Sequence, residues 1–314
     1  MRYVKKKLAT LTAAVTLTLA SGAALAEYPE KPINVIVPWG AGGDSDLTTR
    51  IWADAVEKEL GVPVVVINKT GGGGVIGTMF VSRAKNDGYT LLNAGLSNMF
   101  LTPNFTKTPY NFDSFTPVLK MTSVPLGIVV AKDSPYKTFD DFIASAKTTT
   151  VTQGSWGAAS SGTVLANMIA GQAGYEPKFV HAKSTAESMV SVVGGHIDSA
   201  IAFPPGFAPH VKADRARVLV MNQTMDEYPG VPTFSDYGIK GNFEGSSSIF
   251  APKGVPDEVV EKLQAVTTKV MQDPKVLEAY RNIGAMVDYR YGQEWIDDMR
   301  VTYSMMQEEA ARQK

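Results

Sequence analysis

The 314-residue chain contains no cysteine. Disulfides, thiolate metal sites and cysteine nucleophiles are therefore excluded together, and stability has to come from a buried core. Histidine is nearly as scarce. His181, His196 and His210 are the only three, with no H-E-x-x-H and no paired-ligand spacing, so neither a metal nor a cofactor is expected. No G-x-x-x-x-G-K-[ST] occurs, which removes the phosphate-binding P-loop. The serine clusters Ser160-Ser161 and Ser246-Ser247-Ser248 stand outside any G-x-S-x-G context. Gly72-x-Gly74-x-x-Gly77 does match the dinucleotide fingerprint. The strand that follows ends in Asn93-Ala94-Gly95, however, where an acid for the ribose is needed. A surplus of positive charge is missing too. There are 30 Lys+Arg against 31 Asp+Glu and no basic cluster interleaved with aromatics, which argues against nucleic acid.

What is present begins with an export signal. Arg2, Lys5, Lys6 and Lys7 precede an uncharged run from Leu8 to Ala26 that closes on Ala24-Leu25-Ala26. A basic start, an apolar middle and a small-x-small end predict a signal peptide, residues 1–26, cleaved after Ala26. Thr10, Thr12, Thr16, Thr18, Ser21 and Gly22 dilute the apolar run and argue against a permanent anchor, and no later stretch is long and apolar enough to span a bilayer. A soluble protein of the periplasm of a Gram-negative bacterium is expected. Cleavage leaves about 288 residues with a net charge near −5, because four basic residues leave with the segment. That length suits one large domain or two of ordinary size. An apolar content of 44% supports a full core.

Strand and helix signals then alternate. Ile33 to Val37 reads as a buried strand, Leu47 to Leu60 as a helix, Pro63 to Ile67 as a strand, the stretch through Arg83 as a helix and Tyr89 to Ala94 as a third strand. The pattern restarts at Leu126 to Ala131 and runs through helices and strands to Phe203, with Val218 to Met221 as a further strand. Ser248 to Ala251 reads as a strand crossing back. Two closing helices carry stripes at Val259, Leu263, Val266, Val270 and at Trp295, Met299, Tyr303, Met306. Such alternation predicts α/β lobes with parallel sheets and helices on their faces.

Three loops share one design, a strand end, a turn through small residues and a helix start. They are Pro38 to Asp46, Asn68 to Gly77 and Gly154 to Gly162. Helix N-termini offer unpaired N–H groups and positive dipole ends, and glycine lets the backbone approach an anion closely. One such loop is explained by an ordinary capped turn, with Asp46 well placed as an N-cap. Three together point to a site at the carboxyl ends of the strands.

Tyr28-Pro29-Glu30-Lys31-Pro32, Pro38-Trp39-Gly40-Ala41-Gly42-Gly43-Asp44-Ser45-Asp46, Asn68-Lys69-Thr70-Gly71-Gly72-Gly73 and Asp87-Gly88-Tyr89-Thr90-Leu91-Leu92 resemble the solute-binding proteins of tripartite tricarboxylate transporters, the Bug receptors. The likeness continues through Phe115 to Val118, Gly194 to Asp198 and Val231 to Phe234, in order along the mature chain. It implies a two-lobed, type II-like periplasmic-binding-protein fold. Each lobe would be a mostly parallel sheet flanked by helices, with the ligand cleft between lobes that close like a hinged clamp. Lobe 1 is expected to comprise residues 27–125 plus 249–314, and lobe 2 residues 126–248.

The resemblance also implies a ligand carboxylate held by Gly40, Ala41, Gly42, Gly43, Asp44 and Ser45 of the first loop and by Thr70, Gly71, Gly72 and Gly73 of the second. Ser97 faces the same cleft in that comparison, with Ser155, Ser160, Ser161, Ser184, Thr185 and the acid Asp198 from the second lobe. Trp39, Trp156 and Asp44 depart from the family pattern. Two indoles on a cleft favour a flat or aromatic ligand by stacking, and packing within their own lobes is the plainer alternative. Asp44 either meets a ligand amine or points to solvent. The implied partners are a small carboxylate (a di- or tricarboxylate, an acidic amino acid or an aromatic carboxylate) and the membrane permease subunits of such a transporter. A non-catalytic monomer is the simplest expectation. A sensory receptor for the same ligand and an exported hydrolase are the rival readings.

Overall fold

The computed structural model describes residues 28–158, 160–240 and 245–312. The expected signal peptide lies outside them. Contacts divide the chain into Met1–Glu30 and Lys31–Lys314, and everything below concerns the second unit. Its first half opens with β1 (Ile33–Val37), α1 (Asp44–Leu60), β2 (Val64–Asn68), α2 (Val75–Ser82), β3 (Thr90–Ala94), the short α3 (Thr102–Phe105) and β4 (Phe115–Val124). The next stretch holds β5 (Gly127–Ala131), α4 (Phe139–Ala146), β6 (Thr152–Ser155), α5 (Ser161–Ala173), β7 (Lys178–His181), α6 (Thr185–Val193), β8 (Ser199–Ala202), α7 (Pro204–Lys212) and β9 (Ala216–Met221). The chain closes with β10 (Gly245–Pro252), α8 (Asp257–Val270), α9 (Pro274–Asn282), β11 (Met286–Arg290) and α10 (Gln293–Arg312).

Two sheets organise these elements. The first runs β11-β4-β10-β3-β1-β2 and the second β7-β6-β8-β5-β9. Ile33, Val35, Ile36 and Val37 of β1 are buried, as expected of a strand with parallel neighbours on both sides. The parallel order expected of the βαβ units holds for β2-β1-β3 and β7-β6-β8. The remaining pairings, β3-β10, β10-β4, β4-β11, β8-β5 and β5-β9, are antiparallel. Both sheets are therefore mixed rather than mostly parallel, because returning strands enter without a crossover helix. The lobe boundary expected after residue 248 falls inside β10, which pairs with β4 from Gly245↔Val124 to Pro252↔Phe115 with register shifts after Ser247 and after Ile249.

Helices brace the sheets by anchored contacts. Trp52 of α1 is fully buried, and its Nε1 donates to Thr267 Oγ1 of α8 at 3.0 Å. Removing a ring so placed costs about 3–5 kcal/mol. One apolar cluster runs through the junction of the two sheets and joins Val37, Trp39 and Val124 to Trp156, Leu165 and Phe203. No helix among the described residues is long and apolar enough to cross a membrane.

Candidate functional site

Three helices begin at the cleft between the sheets. α1 follows Gly43, α5 follows Ser160 and α6 follows Ser184. The Ser184 hydroxyl accepts from the N–H of Glu187 at 3.2 Å, which satisfies one of the N–H groups a helix start leaves unpaired. Gly43 caps α1 without a side chain. Asp46, expected as that cap, sits two residues inside the helix and reaches back instead. Its carboxylate accepts from Gly42 N–H at 2.9 Å and Asn68 Nδ2 at 2.9 Å and pairs with Arg50 at 2.8 Å. It holds the shape of the first loop.

The loops touch across the cleft. Gly40 N–H donates to the Lys183 carbonyl at 2.9 Å. Ser97 Oγ donates to Ser161 Oγ at 2.6 Å and accepts from Ser161 N–H at 2.7 Å. A Cβ on Gly157 would lie 3.0 Å from the Cα of Gly73, so the second and third loops meet backbone to backbone. These contacts bound a narrow cavity of about 30 Å³, or about 450 Å³ when the solvent-open space at its mouth is counted.

Of the expected residues, Trp39, Gly43, Asp44, Ser45, Ser97, Trp156, Ser161, Ser184 and Thr185 line this cavity. Gly40, Ala41 and Gly42 lie on the same loop but off the wall, with the N–H groups of Gly40 and Gly42 spent on Lys183 and Asp46. Thr70, Gly71, Gly72 and Gly73 do not reach it. The adjoining Gly74 leaves room for the Trp39 ring, whose Cζ2 and Cη2 would stand 3.0 Å from a Cβ there. The second loop thus shapes the wall from behind. Ser155 is fully buried among Thr163 (2.7 Å) and His181 Nδ1 (2.9 Å), and Ser160 accepts from Thr163 N–H as a cap. Ser155 and His181 both lie off the cavity wall, and His181 is exposed.

Asp198 is not part of the site. Its carboxylate accepts from the Thr152 N–H at 2.7 Å and the Thr152 hydroxyl at 2.5 Å, which pins β6 to the start of β8. Six residues on the cavity wall escape the sequence reading: Gly95, Leu96, Asn98, Phe203, Gly245 and Ser246. Gly95 follows a strand end just as the glycine loops do, and a Cβ there would fall 2.2 Å from the Ser246 carbonyl oxygen. That strand-end glycine was a readable signal. Gly245 and Ser246 carried none, because only the antiparallel return of β10 brings them in, and Phe203 stands between the end of β8 and the start of α7.

The two acids of the first loop behave oppositely. Burial pushes the Asp44 carboxyl up to about 6 against hydrogen bonds from Ser45. Burial also opposes ionisation of Asp46, but hydrogen bonds from Arg50, Gly42 and Asn68 outweigh it and hold that carboxyl below its usual range. Asp44 is the one ionisable side chain on the cavity wall among the described residues. Lys69 lies over the Phe80 ring at 4.6 Å, and Lys183 is exposed. Both tryptophans line the cavity and are packed into the apolar cluster at the junction, Trp39 against Gly74 and Trp156 against Gly162 and Phe203, the last with centroids 4.9 Å apart.

A closed pocket between two α/β lobes, built at helix starts, is the architecture of a solute receptor, and sequence comparison agrees. The family model described as tripartite tricarboxylate transporter family receptor matches residues 48–314. The chain belongs to this family. A protein encoded in the gbd 5′ region of Cupriavidus necator is 30% identical over 92% of this chain and 89% of its own length. The structure of periplasmic binding protein BugD superposes with a TM-score of 0.85 at 26% identity and covers 91% of this chain and 98% of that one. MatC from Rhodopseudomonas palustris, solved with bound malate, has the same fold, with a TM-score of 0.82 at 23% identity over 90% of this chain and all of its own. The two-lobed fold expected from the sequence is the fold of these receptors.

Proposed function

We propose that this receptor captures a small carboxylate-bearing metabolite in the cavity between its lobes and hands it to a tripartite tricarboxylate-type permease, without catalysing a reaction. The observation that carries this reading is the cavity wall. Among the described residues it is built of helix starts and hydroxyls, those of Ser45, Ser97, Ser161, Ser184, Thr185 and Ser246, with no lysine, arginine or histidine and with Asp44 as its one ionisable side chain. Such a wall holds an anion by dipoles and O–H donors, and each helix start contributes about 0.3–1 kcal/mol, more where water is excluded. The cross-cleft bonds of Gly40 with Lys183 and of Ser97 with Ser161 exist only when the lobes are together. A ligand that touches both lobes therefore favours closure by the difference in its contacts between open and closed forms.

The family match supports the transport role, and the expected exit of the chain to the periplasm places it beside a permease. Gly43, Ser45, Ser97, Ser161, Ser184 and Thr185 are the proposed ligand contacts, by loop backbone, hydroxyl or bridging water. Calorimetric titration with malate, adipate, citrate, L-glutamate and 4-aminobutanoate tests the reading. Micromolar or tighter binding of at least one, lost in Gly43→Leu, is the expected result. No heat from any carboxylate would remove the ligand class.

A further inference from the structure

The wall of the cavity is unusual for a site that takes only anions. Its single ionisable group is an acid, Asp44, and three of its members are aromatic, Trp39, Trp156 and Phe203. Aromatic faces beside a carboxylate attract an organic cation, through the ring quadrupole and through charge. The start of α1 already carries Asp44 and Asp46 in its first turn, so a further anion at that terminus meets negative charge. The starts of α5 and α6 across the cleft are capped by serines, and the α5 first turn carries no acid while that of α6 carries one, Glu187, whose carboxylate accepts from the Lys183 N–H.

A second, independent feature points the same way. Asn98 lines the cavity and is 1% exposed. Its Nδ2 donates to Thr78 Oγ1 at 2.9 Å, while its Oδ1 has no hydrogen-bond partner among the described residues. A buried acceptor without a donor is costly, and a carboxylate ligand cannot supply one. An ammonium N–H can.

We propose that the ligand is a small zwitterion whose cationic nitrogen pairs with Asp44, while its carboxylate faces the serine-capped helix starts of the second lobe. The proposal rests on the receptor reading above and narrows its ligand class. Asp44 is then the residue that selects zwitterions over plain carboxylates. An N–H-bearing ammonium satisfies Asn98 as well as Asp44, whereas a quaternary ammonium uses Asp44 and the aromatic faces alone.

Calorimetry with matched pairs tests this, each pair differing by a methyl group or carbon in place of the charged nitrogen. The pairs are L-glutamate with 2-methylglutarate, 4-aminobutanoate with pentanoate, and glycine betaine with 3,3-dimethylbutanoate. The wild type should bind the cationic member of at least one pair about tenfold tighter or more, and Asp44→Asn should erase that preference. Preference in the first two pairs would identify an N–H-bearing ammonium, and preference in the third a quaternary one. Equal affinity within every pair, or a preference that persists in Asp44→Asn, would overturn the proposal. Binding of malate or adipate with no zwitterion bound overturns it while leaving the receptor reading in place. Silence toward every compound in both sets removes both.

Discussion

The loops Pro38 to Asp46 and Asn68 to Gly77 look alike in sequence, each a strand end running through glycines into a helix, and they do different work. The first presents Gly43, Asp44 and Ser45 to the cavity. The second presents nothing to it. A Cβ on Gly77 would stand 2.5 Å from the Lys69 carbonyl oxygen and 3.0 Å from Pro38, so α2 lies directly on the first loop. Glycine there marks one backbone resting on another, and Gly43 in the first loop marks backbone at the cavity wall. Composition alone does not separate the two uses. The neighbour that fills the space does.

Substitutions can break this contrast. The largest effect is expected in the second loop, where Gly77→Val forces backbone apart and should cost about 3 kcal/mol of stability, read by urea unfolding. Ligand affinity of the surviving folded fraction should change little by comparison. In the first loop the reverse holds. Gly43 has φ −82°, which any residue adopts, but its Cβ would sit 3.2 Å from Ser184 Cβ across the cleft. Gly43→Leu should therefore weaken binding at least ~100-fold while unfolding free energy stays within about 1 kcal/mol.

The two acids sharpen the contrast within the first loop. Asp46→Asn removes the pair with Arg50 and weakens the hold on Gly42 and should cost about 1–2 kcal/mol at neutral pH. Because the folded carboxyl is held low, that stability is present above its unfolded value and disappears as pH falls through the lower folded one. Asp44 has the opposite sign. Its carboxyl rises from 3.8 to about 6 on folding. The penalty is absent below pH 4, grows as pH rises toward 6 and is complete above it. A shift of that size sets a ceiling of about 3 kcal/mol, and the side chain's remaining access to water brings the expected effect nearer 1 kcal/mol. Asp44→Asn should thus match the wild type at pH 4 and exceed it by about 1 kcal/mol at pH 7.5 in paired urea titrations. Equal stability at both values would mean that water reaches Asp44 freely.

Much of this fold was legible because its parallel halves are local. Strand, glycine turn and helix follow one another within about thirty residues, and the apolar periods of β1, β2 and β3 say so. Of the antiparallel strands, β5, β9 and the second half of β10 were read from sequence, while β4 and β11 were hidden for physical reasons. β4 carries Pro117 and a buried Lys120, and neither belongs in an apolar strand signal. Lys120 Nζ is neutralised at 2.5 Å by Asp288 of β11, a partner 168 residues away. Pro204 and Pro205 read as a break, yet proline is tolerated in the first turn of a helix, where no donor is needed, and α7 starts on them. On the cavity wall stand the expected Trp39, Gly43, Asp44 and Ser45 of the first loop and Trp156 and Ser161 of the third, but none of the second loop. Asp198 was misplaced because a carboxylate that caps strand β6 through Thr152 looks the same in sequence as one that meets a ligand.

The central claim is that the cavity behind Gly43 holds the ligand. Native mass spectrometry of wild type and Gly43→Leu, both purified from periplasm without refolding, tests it most directly. The wild type should carry a small carboxylate-bearing molecule at one per chain, and Gly43→Leu should carry none while remaining folded. The same molecule retained equally by both proteins would place the ligand elsewhere and contradict the account.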